Sequence, residues 1–274
     1  RRTVNAGLVH LVLGLYTLVA LFPILLIIMN AFKSRRGIFN DPLAPPNAET
    51  FSTIGFEKVF SESNFMLFFG NSLTVTIISL FFVLLFGGMV AWALSEYDFK
   101  GRRLLTLFMA IGIMVPIRLG TVSILELMVS FDLVNTLTAL VLVYIAQGLP
   151  LAVFILSEYM AQIPKELKEA ARCDDVSEYK IFFQIILPLT RPAIATVAVF
   201  TMIPIWNDLW FPLILAPGEE TRTLTLGVQQ FIGQYVTDWN SVLASLSLAV
   251  VPVLVLYLFF SRQLIRGLTS GAVK

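Results

Sequence analysis

The sequence predicts an all-α membrane protein with six transmembrane helices, and three observations lead to that fold class. Of the 274 residues, 57% are hydrophobic and only 14% are charged, whereas soluble domains carry about 25% charged residues. The apolar residues gather into runs close to the roughly 20 residues that cross a bilayer as a helix. Helices are the expected spanning form, because an open sheet would leave unpaired backbone groups in lipid. A soluble all-α protein with six buried helices is the alternative that these observations disfavour.

The apolar runs predict a single transmembrane domain over residues 1–274. The six spans are expected at about residues 8–32, 72–94, 104–125, 137–157, 192–215 and 243–261. Residues 33–70 form the longest external loop and include a short helix near 56–61. Residues 158–191 form a polar loop between spans four and five.

The distribution of positive charge favours an orientation with both termini in the cytoplasm. With the N-terminus inside, thirteen of the 19 Lys and Arg residues lie in internal segments and six in external segments, as the positive-inside rule requires. Lys33, Arg35 and Arg36 oppose this orientation, since they follow the first span. The net charge of +1 gives no reason to expect a nucleic-acid partner.

Sequence patterns typical of enzymes are absent. There is no G-x-x-x-x-G-K-[ST] phosphate-binding loop and no G-x-S-x-G nucleophile motif. The single histidine, His10, and the single cysteine, Cys173, cannot form a metal cluster. Cys173 is expected to be a reduced, half-buried packing residue. We therefore expect neither enzyme activity nor a cofactor in this chain.

Charged residues within the predicted spans are few. Asp208 follows Asn207 in span five, and Arg118 follows a proline in span three. Charges at membrane depth cost at least a few kcal/mol, so they usually face a protein interior or a water-filled path. Asn207 and Asp208 either line such a path or hydrogen-bond between helices. Arg118 either favours an anionic substrate or extends to the lipid headgroups.

The polar loop predicts a short helix, a turn and a second helix on the cytoplasmic surface. It contains the segment KELKEAARCDDVSEYKIFFQIILPLTRP, which starts at Lys165. Pro164 suits the first turn of the first helix. An apolar stripe with helical spacing follows, formed by Ile163, Leu167, Ala170 and Ala171. The loop is either a solvated amphipathic segment or a site where another protein docks.

The second helix of the loop is expected to start near Ser177 and to stop before Pro188. Asp175 and Glu178 have the spacing of a capping box, and Ser177 is a rival cap. Asp174 and Asp175 lie at the turn between the two helices.

The same loop resembles the EAA loop of permease subunits in binding-protein-dependent ABC importers. The residues that match the family pattern are Glu169, Ala170, Ala171, Asp174, Ile185, Leu187 and Pro188. Asp175 replaces the usual glycine and Val176 the usual alanine. The segments NSLTVT, AWALSEYDFKGRR, WNDLWFPLIL and GLTSGAVK further resemble the carbohydrate-uptake branch, which includes the smaller permease of the maltose transporter. Because Asp tolerates a positive φ better than most residues, we expect Asp175 to be left-handed or to cap the second helix.

The resemblance implies a permease subunit of an ATP-driven sugar or glycoside importer in the bacterial inner membrane. The implied partners are a second, different permease, two ATP-binding subunits that hold ATP and Mg, and a periplasmic or lipid-anchored solute-binding protein. The chain itself would carry no cofactor. The residues implied to dock on the ATPase are Glu169, Ala170, Ala171, Asp174, Asp175, Leu187, Pro188, Ser270, Gly271 and Lys274.

The resemblance also assigns the external segment 216–240 to contact with the solute-binding protein. Phe231, Tyr235 and Trp239 have helical spacing in this segment. They either contact that protein or anchor the chain at the membrane surface. Two other classes of function stay open: a six-span ion-coupled secondary carrier, and a purely structural membrane subunit.

Overall fold

The structure is a computed structural model that describes residues 2–233 and 236–270. Within these ranges every long ordered element is a helix. The β-contacts of the described chain are two isolated bridges, Lys33 with Phe51 and Ile232 with Thr237. The all-α prediction is therefore confirmed for the described residues.

The chain divides into two compact units. The first unit contains the segments up to Phe68 and Leu224–Val253, and the second contains Phe69–Thr223 and the segment from Leu254 onward. The helices that begin in the first unit are α1 (Arg2–Ala31), α2 (Arg35–Asn40), α3 (Ile54–Glu62), α4 (Phe65–Glu96), α13 (Leu224–Val228) and α14 (Trp239–Ser270). The helices of the second unit are α5 (Arg102–Met114), α6 (Thr121–Ser130), α7 (Leu137–Ala161), α8 (Lys165–Cys173), α9 (Glu178–Lys180), α10 (Leu187–Leu189), α11 (Arg191–Trp206) and α12 (Trp210–Leu215).

In the first unit, α3 packs closely against the start of α14. A Cβ on Gly55 would lie 2.3 Å from the carbonyl oxygen of Asn240, so this contact requires glycine. The Asn240 amide donates to the carbonyl of Lys33 at 2.7 Å, and Lys58 pairs with Asp238 at 2.7 Å. The predicted short helix near residues 56–61 is confirmed as α3.

Among the described residues, three helices are long and apolar enough to cross a bilayer without a break. They are the Ala6–Ala31 part of α1, then α4, and then α7. They coincide with the predicted spans at residues 8–32, 72–94 and 137–157. The apolar part of α14, Trp239–Val255, is shorter than these and overlaps the sixth predicted span.

The predicted span over residues 104–125 is not one straight helix, because the chain bends at Val115 and Pro116. Helix α5 ends at Met114, a 3₁₀ turn covers Ile117–Gly120, and α6 leaves at 90°. A residue before proline is disfavoured in the helical region, and Val115 accordingly has an extended ψ of 117°.

The predicted span over residues 192–215 is also interrupted. Helix α11 follows a 76° bend and ends at Trp206, and α12 begins only at Trp210. In one continuous helix, Pro212 would lack the N–H that bonds the carbonyl of Asp208, and its ring would clash with that carbonyl. The break falls at residues 207–209, so that Pro212 lies in the first turn of α12.

The second unit has two clusters of buried apolar side chains. One gathers around α4, α7, α8 and α11 and includes Trp92, Ala152, Leu156, Met160, Ala171, Phe182 and Val197. The other gathers around α6, α7 and α12 and includes Met128, Leu140, Tyr144, Ile205 and Phe211. Small residues let the helices approach: a Cβ on Gly148 would lie 2.8 Å from Val83 and 3.1 Å from Thr201.

Candidate functional site

Helix α8 presents one face to the protein and one to its surroundings. Lys168 and Ala171 are buried, whereas Glu169 and Ala170 are exposed. Leu167 is 47% exposed and Ala170 is exposed, whereas Ile163 and Ala171 are buried, so the apolar stripe is divided between the outward and inward faces. The inward face also contains Lys168, whose charge is paired with Glu96 at the end of α4.

The turn after α8 is a Schellman motif with aspartate at the left-handed position. The N–H of Val176 donates to the carbonyl of Ala171 at 3.0 Å, and the N–H of Asp175 donates to that of Arg172 at 3.1 Å. These are the two bonds that define the motif, and Asp175 has a φ of 55°. Val176 also packs against the apolar cluster that contains Ala171. The expectation of a left-handed Asp175 is confirmed.

Five side chains connect α8 to the end of α4 and the start of α9, and we call them the charge cluster. Lys168 Nζ donates to Glu96 Oε2, and Arg172 pairs with the other oxygen of Glu96 at 2.7 Å. Arg172 also donates to both carboxylate oxygens of Glu178, at 2.7 and 3.2 Å. The hydroxyl of Tyr97 donates to Glu178.

The centre of the charge cluster is removed from water. The side chains of Lys168 and Glu96 are only 6% and 10% exposed, and Lys168 lies 5.5 Å from the ring centroid of Trp92. Breaking a buried pair of this kind leaves an uncompensated charge and typically costs 3–5 kcal/mol. Hydrogen bonds to Glu178 and Glu96 raise the pKa of Arg172. Burial and the bond to Glu178 raise the pKa of Tyr97, so Arg172 stays cationic and Tyr97 neutral near pH 7.

The second helix of the loop differs from its prediction in two ways. The carboxylate of Glu178 binds Arg172, and Ser177 occupies the N-cap position without a side-chain hydrogen bond, so the predicted capping box is wrong. The helix also continues past Pro188 to Leu189. A π-helical segment over Ile181–Ile186 precedes this proline, and such a segment accommodates the backbone bond that proline cannot make.

A second polar cluster joins the breaks in the two interrupted helices. Asp208 accepts hydrogen bonds from Tyr144 at 2.9 Å and from Arg118 at 3.2 Å. It also accepts from the backbone N–H groups of Trp210 at 3.2 Å and Phe211 at 3.1 Å. Asp208 therefore caps α12 and connects it to α7.

Comparison with known proteins places this architecture in a transport family. The family model described as "Binding-protein-dependent transport system inner membrane component" matches residues 83–270. The chain belongs to this family. It is therefore an ABC importer permease, an inner-membrane transport subunit that is not itself catalytic.

The permease has relatives along nearly its whole length. It is 35% identical over 93% of its chain, and 92% of the relative, to the arabinooligosaccharides transport system permease AraQ of Halalkalibacterium halodurans. It is 31% identical over 98% of its chain, and 89% of the relative, to the diacetylchitobiose uptake system permease NgcG of Streptomyces coelicolor. A bacterial ABC transporter involved in import of the acidic polysaccharide alginate shares the fold, with a TM-score of 0.80, 21% identity and coverage of 96% and 97% of the two chains. An ion-coupled carrier is not supported.

The other predicted site residues of the permease are scattered. The Asn207 side chain donates to the carbonyl of Ile203 within its own helix. Phe231 lies in a 3₁₀ turn and Trp239 begins α14, and the described residues between them, 232–233 and 236–238, are not helical. Tyr235, Gly271 and Lys274 lie outside the described residues, and Ser270 is the last residue of α14.

The environment of three further residues of the permease differs from, or is absent from, what the sequence predicts. Cys173 is exposed, so the expectation of a half-buried thiol is wrong. Two polar partners are not predicted from the sequence. They are Glu96, which pairs with Lys168 of the loop, and Tyr144, which donates to Asp208. Glu96 ends an apolar helix and lies 72 positions before its partner Lys168, so no local spacing pattern connects them.

Proposed function

We propose that this permease forms half of the translocation path of an ATP-driven importer for a sugar or glycoside. A second, different permease would form the other half. Relatives named for arabinooligosaccharides and diacetylchitobiose support the substrate class. ATP and Mg would be bound by two partner ATPase subunits, since this chain has no phosphate-binding loop.

The proposed permease domain crosses the membrane six times. Helices α1, α4 and α7 supply three spans, the bent pairs α5–α6 and α9–α11 supply two, and α14 supplies the sixth. The excess of Lys and Arg in the alternate segments supports cytoplasmic termini. In this orientation α8 lies on the cytoplasmic side, between spans four and five.

Helix α8 is the proposed coupling helix that docks on an ATPase subunit, and its two-sided character carries the proposal. The inward face is held by a buried ion pair, and the outward face presents Glu169 and Ala170. Asp174 and Asp175 are exposed at the end of the same helix. Ala171 is buried and packs in the apolar cluster on the inward side of α8. Leu187 and Pro188 would transmit its movement into span five. Ser270, Gly271 and Lys274 are a second proposed contact with the ATPase.

A solute-binding protein, periplasmic or lipid-anchored, is the proposed partner on the opposite side. Phe231, Tyr235 and Trp239 belong to its proposed contact segment. Trp239 packs edge-on against Phe39, with ring centroids 6.4 Å apart, and its remaining surface is exposed. Arg118, Asn207 and Asp208 belong to the proposed translocation path.

The docking proposal is tested by replacing Glu169 with lysine in the assembled transporter. The substitution places a cation where the docking face presents an anion, so we expect the ATPase subunits to co-purify at less than a tenth of the normal yield. Substrate-stimulated ATP hydrolysis should fall in proportion. Asp98→Lys, an exposed acid in another loop, is the matched control and should retain both. Normal assembly and stimulation of Glu169→Lys would refute docking through α8.

A further inference from the structure

The breaks in the two interrupted helices lie at a similar depth in the proposed membrane orientation. Helix α5 contains 13 residues before its break and α11 contains 16. At 1.5 Å per residue these lengths are about 20 and 24 Å, both shorter than a hydrocarbon core of about 30 Å. Broken helices within a membrane are tolerated where they face protein or line a water-filled cavity.

Arg118 lies at one of these breaks, where the hydrocarbon of a membrane would be an unfavourable surrounding for its charge. Its side chain is 64% exposed, whereas that of its partner Asp208 is 7% exposed. An exposed guanidinium at this depth costs several kcal/mol in hydrocarbon. Arg118 makes its hydrogen bond to Asp208 through one terminal nitrogen, Nη2, and a guanidinium has five N–H donors. The other donors are therefore available to water or a solute.

Two cavities lie next to each other at Gln147, and Arg118 lines one of them. One, of about 760 Å³, is lined by Arg118 and Gln147 together with apolar side chains. The other, of about 160 Å³, is lined by Gln147, Tyr144 and Thr201. Gln147 thus borders both cavities, and in the described part of the chain the hydroxyl of Thr201 is buried without a hydrogen-bond partner. Both volumes exceed the space that one water molecule needs, and the side chains of Arg118, Gln147 and Tyr144 offer water hydrogen-bond partners there.

The aromatic ring beside Arg118 is held in place. The guanidinium lies 6.0 Å from the ring centroid of Trp210, and the Trp210 Nε1–H donates to the hydroxyl of Thr121 at 3.0 Å. Trp210 is partly exposed. An apolar ring face next to hydrogen-bond donors matches a sugar, which has apolar C–H faces and hydroxyl edges.

The charge of Arg118 is balanced within the fold. Asp208 is held at its side by Tyr144 and by the first N–H groups of α12. A fixed carboxylate at 3.2 Å cancels the positive potential that an acidic solute would require, while the remaining N–H donors stay usable. The expectation that Arg118 favours an anionic substrate therefore lacks its electrostatic basis.

We propose that Arg118, Gln147 and Thr201 line a hydrated site that takes an uncharged sugar through hydrogen bonds, with the positive charge of Arg118 balanced by Asp208. This inference rests on the proposed sugar-import function and adds the substrate's charge class. It also places substrate contacts in this permease as well as in its partner.

The site is tested with thiol reagents of opposite charge on the full-length permease in lipid nanodiscs. Cys173 is replaced by serine and Gln147 by cysteine, and the reaction rates of cationic trimethylammonioethyl and anionic sulfonatoethyl methanethiosulfonate are measured. Each rate is divided by that of mercaptoethanol in solution. We expect both reagents to react, with normalised rates that agree within about threefold. Failure to react would show that the site is dry, and a preference of tenfold or more for the anionic reagent would show that it suits an acidic sugar; either result overturns the proposal.

A second variant tests whether Arg118 and Asp208 set this balance. Adding Arg118→Gln changes an exposed side chain and leaves the carboxylate uncompensated, so the rate ratio should shift about tenfold towards the cationic reagent. An unchanged ratio would overturn the proposal, because the pair would then not control the potential at residue 147. Neither measurement needs an ATPase or transport, so its outcome is independent of the Glu169→Lys test.

Discussion

At the scale of single residues, Glu96 holds helix α8, the proposed coupling helix, in position. Its two carboxylate oxygens bind Lys168 and Arg172, which lie one turn apart on the inward face of α8. Arg172 then binds Glu178, so one carboxylate at the end of α4 orients the helix before the turn and the helix after it. A force applied to α8 would reach α4 through these ion pairs as well as through the chain.

We predict that Glu96→Gln loosens α8 without unfolding the membrane helices. The substitution leaves the buried Lys168 without its anionic partner, and the cost is of the order of 3 kcal/mol. The native Cys173 is the only cysteine and is exposed at the end of α8, so a spin label there reports the mobility of this helix. Its spectrum should show a fast component in Glu96→Gln, and substrate stimulation of ATP hydrolysis should fall severalfold.

Glu166→Gln is the matched control for this measurement. Glu166 lies on α8 and is exposed, so removal of its charge should leave the spectrum unchanged. If the spin label at Cys173 gave the same spectrum in Glu96→Gln as in Glu166→Gln, the positioning role of Glu96 would be contradicted.

The Lys58–Asp238 pair in the first unit predicts a dependence of local stability on pH. Burial alone would raise the pKa of Asp238, but hydrogen bonds from Lys58 and Ser241 outweigh it and lower the pKa. The bond to Asp238 raises the pKa of Lys58. The contribution of Asp238 is therefore present above its ordinary value of 3.8 and is lost as the pH falls through the lower folded value. The contribution of Lys58 is lost only as the pH rises above 10.5.

We therefore expect amide protection at the start of α14 to be constant between about pH 5 and 9 and to weaken below about pH 4. The effect should be under about 1 kcal/mol, because both side chains are about one-third exposed. Hydrogen exchange corrected for its intrinsic pH dependence measures it, and Lys58→Met serves as the comparison. A pH response of the same size in Lys58→Met would exclude the pair as its cause.

At the scale of elements, the turn after α8 sets the direction in which the next helix leaves. Asp175 adopts a φ of 55°, where a side chain with a branched Cβ is strained by about 1–2 kcal/mol. We predict that Asp175→Gly keeps coupled ATP hydrolysis and that Asp175→Val reduces it severalfold. Both substitutions remove the same charge, so equal activities would show that the carboxylate, and not the backbone conformation, matters at this position.

Sequence predicts those elements whose cause is local. Helices α1, α4 and α7 follow from uninterrupted apolar runs, and the left-handed turn follows from an aspartate at a glycine position. Hydropathy did not reveal the breaks at Pro116 and ahead of Pro212, because a proline changes backbone bonding without changing the polarity of the run. The inward lysine of α8 could not be predicted either, since Lys168 is buried only because Glu96, far away in sequence, neutralises it.

At the scale of the whole molecule, the two polar clusters of the second unit have separate proposed tasks. The charge cluster fixes a docking helix for a motor that belongs to another chain. The Arg118–Asp208 pair joins two broken helices within the proposed path, where a sugar would pass. In each cluster a buried carboxylate binds an arginine. Neither proposed task requires a catalytic reaction in this chain.

The central claim, that α8 docks on a cytoplasmic ATPase, is tested most directly by cross-linking from Cys173 in the unmodified transporter. A heterobifunctional reagent with a thiol-reactive group and a short photoreactive arm is attached to this single exposed cysteine and activated by light. We predict that the permease becomes covalently joined to an ATPase subunit, and that ATP changes the yield. Cross-links to lipid or to the partner permease alone, with none to the ATPase, would contradict the account.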